Sequence, residues 1–197
     1  MERVMEEMPA EKIPRLLLHS CCAPCSSYVL EYLSGCFSIT VFYYNPNIYP
    51  EEEFYKRQKE QKMLIEKMPA TYPISFQAAD YDSEKFYVAA KGLEDVPEGG
   101  ERCFRCYKLR LMAAAEQART GGYDYFTTTL SISPLKNAQK LNEIGEQAGR
   151  EWGVRWLPSD FKKRDGYKRS VELSKEYGLY RQDYCGCIYS KNRSVRR

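Results

Sequence analysis

Leu16-Leu17-Leu18-His19-Ser20-Cys21-Cys22-Ala23-Pro24-Cys25 is the stretch on which the fold turns. Three consecutive leucines form an apolar run too short for a helix, which predicts a buried strand ending at His19-Ser20. The following SSYVLEYLSG (26–35) predicts a helix closed by Gly35. FSITVFYY (37–44) has the β-branched and aromatic content of a second strand, broken by Asn45-Pro46-Asn47. Pro50 with Glu51, Glu52 and Glu53 predicts a helix start, and the helix runs to about Met68. ISFQAA (74–79) predicts a third strand and YDYFTTT (123–129) a fourth, and VRWL (154–157) predicts a fifth. Helices are predicted from about Cys103 to Arg119 and over KNAQKLNEIGEQAG (136–149). The alternation is βαβαβαβαβ, which implies an α/β fold with a parallel sheet and helices on both faces.

Sheets of this kind bind ligands beyond the carboxyl ends of their strands. The segments there are SCCAPC (20–25), NPNIYP (45–50), TLSISPLK (129–136) and PSDFKKRDGY (158–167). The unusual residue clusters therefore fall on one edge. SCCAPC offers neither G-x-G-x-x-G nor a P-loop, so no nucleotide cofactor and no ATP hydrolysis are predicted.

At 197 residues, 43% hydrophobic and 29% charged, the chain reads as one domain (1–197) with an N-terminal extension (1–14) and a basic C-terminal tail (188–197). The one Pro/Gly/Glu-rich break, KGLEDVPEGGE (91–101), predicts a long loop. A chain of this length buries ~70% of its unfolded surface and needs no staples merely to fold. No run approaches a membrane span, and the acidic start MERVMEEMPAEKIPR lacks the features of a signal peptide, so a cytoplasmic location is expected. In that compartment grouped cysteines read as metal ligands or redox catalysts. The net charge of +3 is unevenly spread: residues 161–197 carry 11 Lys and Arg against 4 Asp and Glu. That asymmetry points to a polyanionic partner, nucleic acid first.

Seven of the eight cysteines fall into three groups, Cys21, Cys22 and Cys25; Cys103 and Cys106; Cys185 and Cys187. Cys36 stands alone and reads as packing. A C-x-x-C at a helix start places two thiols on one face, and two more from the first loop would complete a four-cysteine site for zinc or an iron–sulfur cluster. Adjacent Cys21 and Cys22 lean towards a cluster. Cys185 and Cys187 flank Gly186; a disulfide two residues apart is a small strained ring, so this pair reads as a two-electron store, with metal ligation as the alternative. His19 is the one histidine, suited either to orienting the cysteine loop or to a hydrogen-bonded core position.

Lys136, Lys162, Lys163, Arg164, Lys168, Arg169 and Arg181 are candidates for phosphate contact, and Tyr43, Tyr44, Tyr49 and Tyr107 for base stacking. Asn45, in the segment after the second strand, joins Tyr107, Lys136, Lys162, Lys163 and Arg181 as a candidate for contact with a substrate or a nucleic acid. Asp160 and Asp183 are candidate acids, with capping or turn roles as the plainer reading.

HSCCAPC (19–25), YNPNIYPEEEF (44–54), RCFRCYKLRL (102–111), TTTLSISPLKN (127–137) and DFKKRDGYKRSVELSKEYGLYRQDYCGC (160–187) together resemble the QueH family of epoxyqueuosine reductases, which complete queuosine synthesis on the wobble nucleotide of tRNA. The resemblance implies a Rossmann-like sheet of the HUP or PP-loop type without the ATP loop, with its metal site at the carboxyl ends of the strands. It implies a [4Fe–4S] cluster on Cys21, Cys22, Cys103 and Cys106, and a redox-active disulfide between Cys185 and Cys187. Cys25 is left for substrate or for a second metal, a mononuclear iron. The implied partners are a tRNA with a queuosine-type anticodon and an external electron donor, with no membrane. Two other functions share these residues, an ATP-independent sulfur-transfer enzyme acting on tRNA and a non-catalytic zinc-containing RNA-binding domain.

Overall fold

The computed structural model describes Met1 and residues 13–194. The strands are β1 (Arg15–His19), β2 (Ser38–Tyr43), β3 (Ile74–Ala78), β4 (Tyr125–Thr128) and β5 (Arg155–Trp156). They form a parallel sheet in the order β3-β2-β1-β4-β5, with Leu17 opposite Thr40 on one side and Phe126 on the other. The helices are α1 (Ala23–Leu33), α2 (Glu51–Lys67), α3 (Ser83–Ala90), α4 (Glu101–Thr120), α5 (Ala138–Trp152), α6 (Gly166–Glu176) and α7 (Ile188–Ser194). The expected α/β architecture and all five strands are present.

The leucine run explains the layering. Successive strand side chains point to opposite faces. Leu16 and Leu18 pack with Val29, Leu30 and Leu33 of α1 and Leu64 of α2, whereas Leu17 packs with Leu111, Ala114 and Ala115 of α4 and Ile144 and Ala148 of α5. A central strand buried on both sides reads as a continuous apolar run, not an alternating one. Cys36 lies half-buried against the α1 side of the core, the packing role expected of it.

Three helices fall where none was expected. α3 is eight residues long and buries little beyond Phe86 and Ala90, too short a pattern to read as amphipathic. α6 follows the basic segment and packs on α1, where Arg169 meets Glu31 at 2.6 and 3.0 Å. α7 occupies most of the stretch expected to be a basic tail. Its first turn is held by Ser190 N–H and Lys191 N–H donating to the Cys187 carbonyl, and Arg102 lies 4.5 Å from the Tyr189 ring. Most of the expected N-terminal extension and the last three residues of the tail lie outside the described residues. The long loop before α4 is ordered from within by Arg102, 2% exposed, whose guanidinium donates to the carbonyls of Leu93, Glu94 and Val96.

Candidate thiol site at the carboxyl edge of the sheet

The loop after β1 turns directly into α1, with Cys22 as the N-cap and Pro24 in the first turn. Three thiols thereby converge: the sulfurs of Cys21, Cys22 and Cys25 lie within 4.8 Å of one another, and Cys21 Sγ is 3.9 Å from Thr129 Oγ1 at the end of β4. Such close thiols cannot ionise independently. Hydrogen bonds from Cys22 and Cys25 hold Cys21 well below the usual thiol range, while the same contacts push Cys22 up to about 12 and Cys25 well upward. Gln182 Nε2 donates to Cys22 Sγ at 2.9 Å.

Cys103 and Cys106 lie on the first turns of α4, outside that triad, and Cys103 Sγ accepts from Gly99 N–H at 3.3 Å. Cys103 and Cys21 pack on the same apolar cluster, while Cys106 and Cys187 belong to a smaller one with Phe86 and Ala90. Arg110 lies one turn beyond Cys106, and a thiol from each of the three groups acts on its charge. Against the burial that would lower it, Cys106, Cys21 and Cys185 together hold the guanidinium firmly charged. Arg110 Nη2 donates to Asn45 Oδ1 at 2.5 Å, and Asn45 Nδ2 in turn donates to the Ser20 carbonyl at 2.8 Å. His19 lies 2.8 Å from Thr128 Oγ1, with Arg110 Nε 3.2 Å from its Nε2. Burial first and Arg110 second lower its pKa to about 3, so it stays neutral and props Arg110 without supplying a charge.

The Cys-x-Cys segment is fastened to the same edge. Tyr49 N–H donates to the Gly186 carbonyl at 2.8 Å, Cys185 N–H to Ser190 Oγ at 3.0 Å, and Arg57 Nη1 to the Cys185 carbonyl at 3.5 Å. Both thiols are free. Burial, then the neighbouring Cys185, raises Cys187 to about 12. Lys136 Nζ donates to Cys185 Sγ at 2.8 Å.

The residues read from sequence as candidates for phosphate, substrate or base contact divide into buried and exposed ones. Asn45 is 1% exposed and serves as the tether just described, and Lys136 is 8% exposed on Cys185, so neither offers itself to a phosphate at the surface. Tyr43 and Tyr44 are buried, and Tyr43 donates its hydroxyl to the Phe54 carbonyl at 2.9 Å, which removes both from base stacking. Tyr49 remains exposed. Tyr107 is 2% exposed and its hydroxyl has no hydrogen-bond partner. Lys162 is paired with Asp160 at 2.6 Å and Arg169 with Glu31, whereas Lys163, Arg164, Lys168 and Arg181 are exposed, Arg181 also donating to Ser174 Oγ at 3.1 Å. Asp183 is exposed. Sequence reasoning passed over Arg57, Arg110 and Gln182. Arg110 alone carried a signal, since it stands seven and four residues after Cys103 and Cys106 and therefore on their side of the helix.

A parallel α/β sheet in the order 3-2-1-4-5, with thiols and buried cations gathered at its carboxyl edge, defines a Rossmann-like protein whose thiol triad could hold a metal. Its fold is similar to the predicted subunit of a tRNA methyltransferase from Methanocaldococcus jannaschii, with a TM-score of 0.51 over 82% of this chain and 74% of that one, at 12% identity. The family model described as epoxyqueuosine reductase QueH matches residues 16–193, and the chain belongs to that family. Relatives of that name include proteins from Streptococcus pyogenes, 42% identical over 96% of this chain and 77% of the relative, and Staphylococcus epidermidis, 43% identical over 90% and 76%. The relative from Thermotoga maritima is 36% identical over 89% of each chain.

Proposed function

We propose that this protein reduces epoxyqueuosine to queuosine at the wobble position of tRNA, in the cytoplasm, with Cys185 and Cys187 as its two-electron pair. The observation that carries the reading is the gathering of the cysteine groups at the edge where such sheets take their ligands: Cys21, Cys22 and Cys25 converge within 4.8 Å, Cys21 and Cys103 pack on one apolar cluster, and Cys106 and Cys187 share another. Opening the epoxide to an alkene releases its oxygen as water and consumes two electrons and two protons. A dithiol supplies two electrons on closing to a disulfide, and an external donor restores it.

The residues present fit a [4Fe–4S] cluster: the donor set is all sulfur, and Arg57 and Arg110, both fully or nearly buried, offset the negative charge that thiolate ligation brings. Cys21, Cys22, Cys103 and Cys106 would hold it, leaving Cys25, which shares the tight triad with Cys21 and Cys22, for a second iron. When bound, such a cluster supplies one-electron transfer and Lewis acidity. The chain's own groups supply the rest. Gln182 fixes the Cys22 sulfur, and the hydroxyl of Tyr107, kept protonated by burial and lacking a partner, is available as the proton donor to the leaving oxygen. Asp160 is committed to Lys162 and Asp183 faces solvent, which makes them weaker candidates.

Anaerobic purification followed by iron, zinc and sulfide assays and an absorption spectrum tests the reading. Brown protein with iron and acid-labile sulfide is expected, bleached by Cys103→Ala or Cys106→Ala. Cys185→Ala and Cys187→Ala should keep most of the colour and lose multiple turnover. Colourless, zinc-loaded protein would leave an RNA-binding module instead.

A further inference from the structure

Two tyrosines are built into the Cys-x-Cys turn and take no part in the chemistry proposed for it. Tyr49, in the loop between β2 and α2, donates its N–H to the Gly186 carbonyl at 2.8 Å and stands 39% exposed. Tyr184, half-buried directly before Cys185, donates its hydroxyl to the Tyr49 carbonyl at 2.7 Å. Among the described residues neither ring stacks on another aromatic ring. Cations lie beside them instead. Lys191 Nζ of α7 is 5.8 Å from the centre of each ring, and the Arg57 guanidinium is 5.1 Å from the centre of the Tyr184 ring. Arg57 is buried and supports Tyr184 from within. Lys191 stands near the limit of about 6 Å for a cation–π contact, so it presses on neither ring.

RNA loops are recognised by splaying their bases onto aromatic side chains. An enzyme that acts on one base takes it out of the stack, which strips the next base of a neighbour. A protein ring can replace that neighbour. Positive charge beside the rings favours a polyanionic strand over an uncharged partner. Glu51 and Glu52, exposed at the start of α2, disfavour a phosphate on that side and leave it to the flat face of a base.

We propose that Tyr49 and Tyr184 form a stacking platform for the anticodon-loop base next to the nucleotide being reduced. The proposal rests on the tRNA substrate argued above. The backbone bond from Tyr49 to Gly186 fixes the platform to the turn between the two thiols, so a base stacked there brings the adjoining nucleotide to the Cys-x-Cys pair. Every base has a π face, so the platform positions the loop without reading its sequence. Choice of the modified nucleotide is left to the thiol site.

Binding of a synthetic anticodon stem-loop RNA to the anaerobically purified, metal-loaded protein, measured at several salt concentrations, tests this. Tyr49→Leu should weaken binding by about five- to a hundredfold, the loss of one stacked base, at an unchanged melting temperature. Stacking releases no counter-ions, so the slope of log K against log salt concentration should stay at the wild-type value. Tyr49→Phe should bind as wild type does. Tyr184→Leu should weaken binding as well, and Tyr184→Phe, which keeps the ring and loses only the bond to the Tyr49 carbonyl, should weaken it less. Tyr49→Leu protein that binds as tightly as wild type overturns the proposal, whether or not Tyr184→Leu folds. A loss of affinity accompanied by a flatter salt slope also overturns it, since the ring would then be serving to place Lys191. Binding needs no turnover, so the two readings separate. Full affinity in Tyr49→Leu removes the platform and leaves the tRNA substrate standing, whereas wild-type protein with no affinity for the stem-loop removes both.

Discussion

Arg110 is 2% exposed, and a guanidinium so placed is stable only where anions and acceptors replace its water. Asn45 accepts from it on one side, His19 backs it, and the charges of Cys106, Cys21 and Cys185 favour its charged form. Gly186 does comparable work through its backbone. Its φ is +119°, and a Cβ there would stand 3.1 Å from Arg57 Nη1 and 3.2 Å from Ile48 Cγ1. Gly186→Ala should therefore cost about 1–3 kcal/mol of stability, the usual range for a backbone held in a disfavoured region. It should also lower turnover more than Arg57→Lys does, because it displaces both sulfurs of the pair; thermal unfolding and a multiple-turnover assay on the same preparations check this. The cysteine groups were legible in the sequence because close-spaced cysteines are scarce and chemically unambiguous. Arg57 was not, since it stands in EEEFYKRQKEQK (51–62) between Lys56 and Gln58 in a strongly charged helix, where a charged side chain reads as solvated, and the packing of α2 against the segment that carries Tyr180 and Cys185 holds it inward.

Helix α5 shows how an element reaches its position through residues it omits. At Gly145 a Cβ would lie 2.3 to 2.6 Å from the Trp156 indole, so the bare backbone lets β5 approach. Asn142, one turn earlier, then ties the pair together. Its Oδ1 accepts from Trp156 Nε1 at 3.0 Å and Ser159 N–H at 2.9 Å, and its Nδ2 donates to the Ser159 carbonyl at 3.0 Å. This fixes the loop that leads to Asp160 and the basic segment. Gly145→Ala should destabilise the protein by about 1–3 kcal/mol through overpacking against a ring that cannot retreat, read as a lower denaturant midpoint at unchanged m-value. The five strands were readable because each is an apolar or β-branched run bounded by breakers. α3 and α7 were not, because eight- and seven-residue segments carry too few buried positions to show a period, and α7 depends on a contact from a distant element, Arg102 of α4 against the Tyr189 ring.

At the scale of the molecule the question is where a large polyanion lands, and the pairing of charges decides it better than their number. Residues 161–197 carry a net charge of +7. Part of it is already committed: Lys162 lies 2.6 Å from Asp160, and Arg169 is held between Glu31 and Glu172. Lys163 and Lys168 stand exposed on the same stretch, close in sequence to the loop after β5 and so to the carboxyl edge where the thiols gather. A cation with a carboxylate in contact gains little by exchanging it for a phosphate and releases few counter-ions, whereas an exposed lysine gives up its share fully. Lys163→Ala should therefore weaken tRNA binding and reduce the slope of log K against log salt concentration by about 1. Lys162→Ala should change the slope by less, and Arg169→Ala should lower thermal stability by loosening α6 from α1 while leaving the slope nearly intact. Binding titrations at several salt concentrations on all three variants check the ordering. If Lys162→Ala and Arg169→Ala flattened the slope as much as Lys163→Ala, the tRNA would be breaking those ion pairs on arrival, and the interface would extend across α6 instead of stopping at the loop that precedes it.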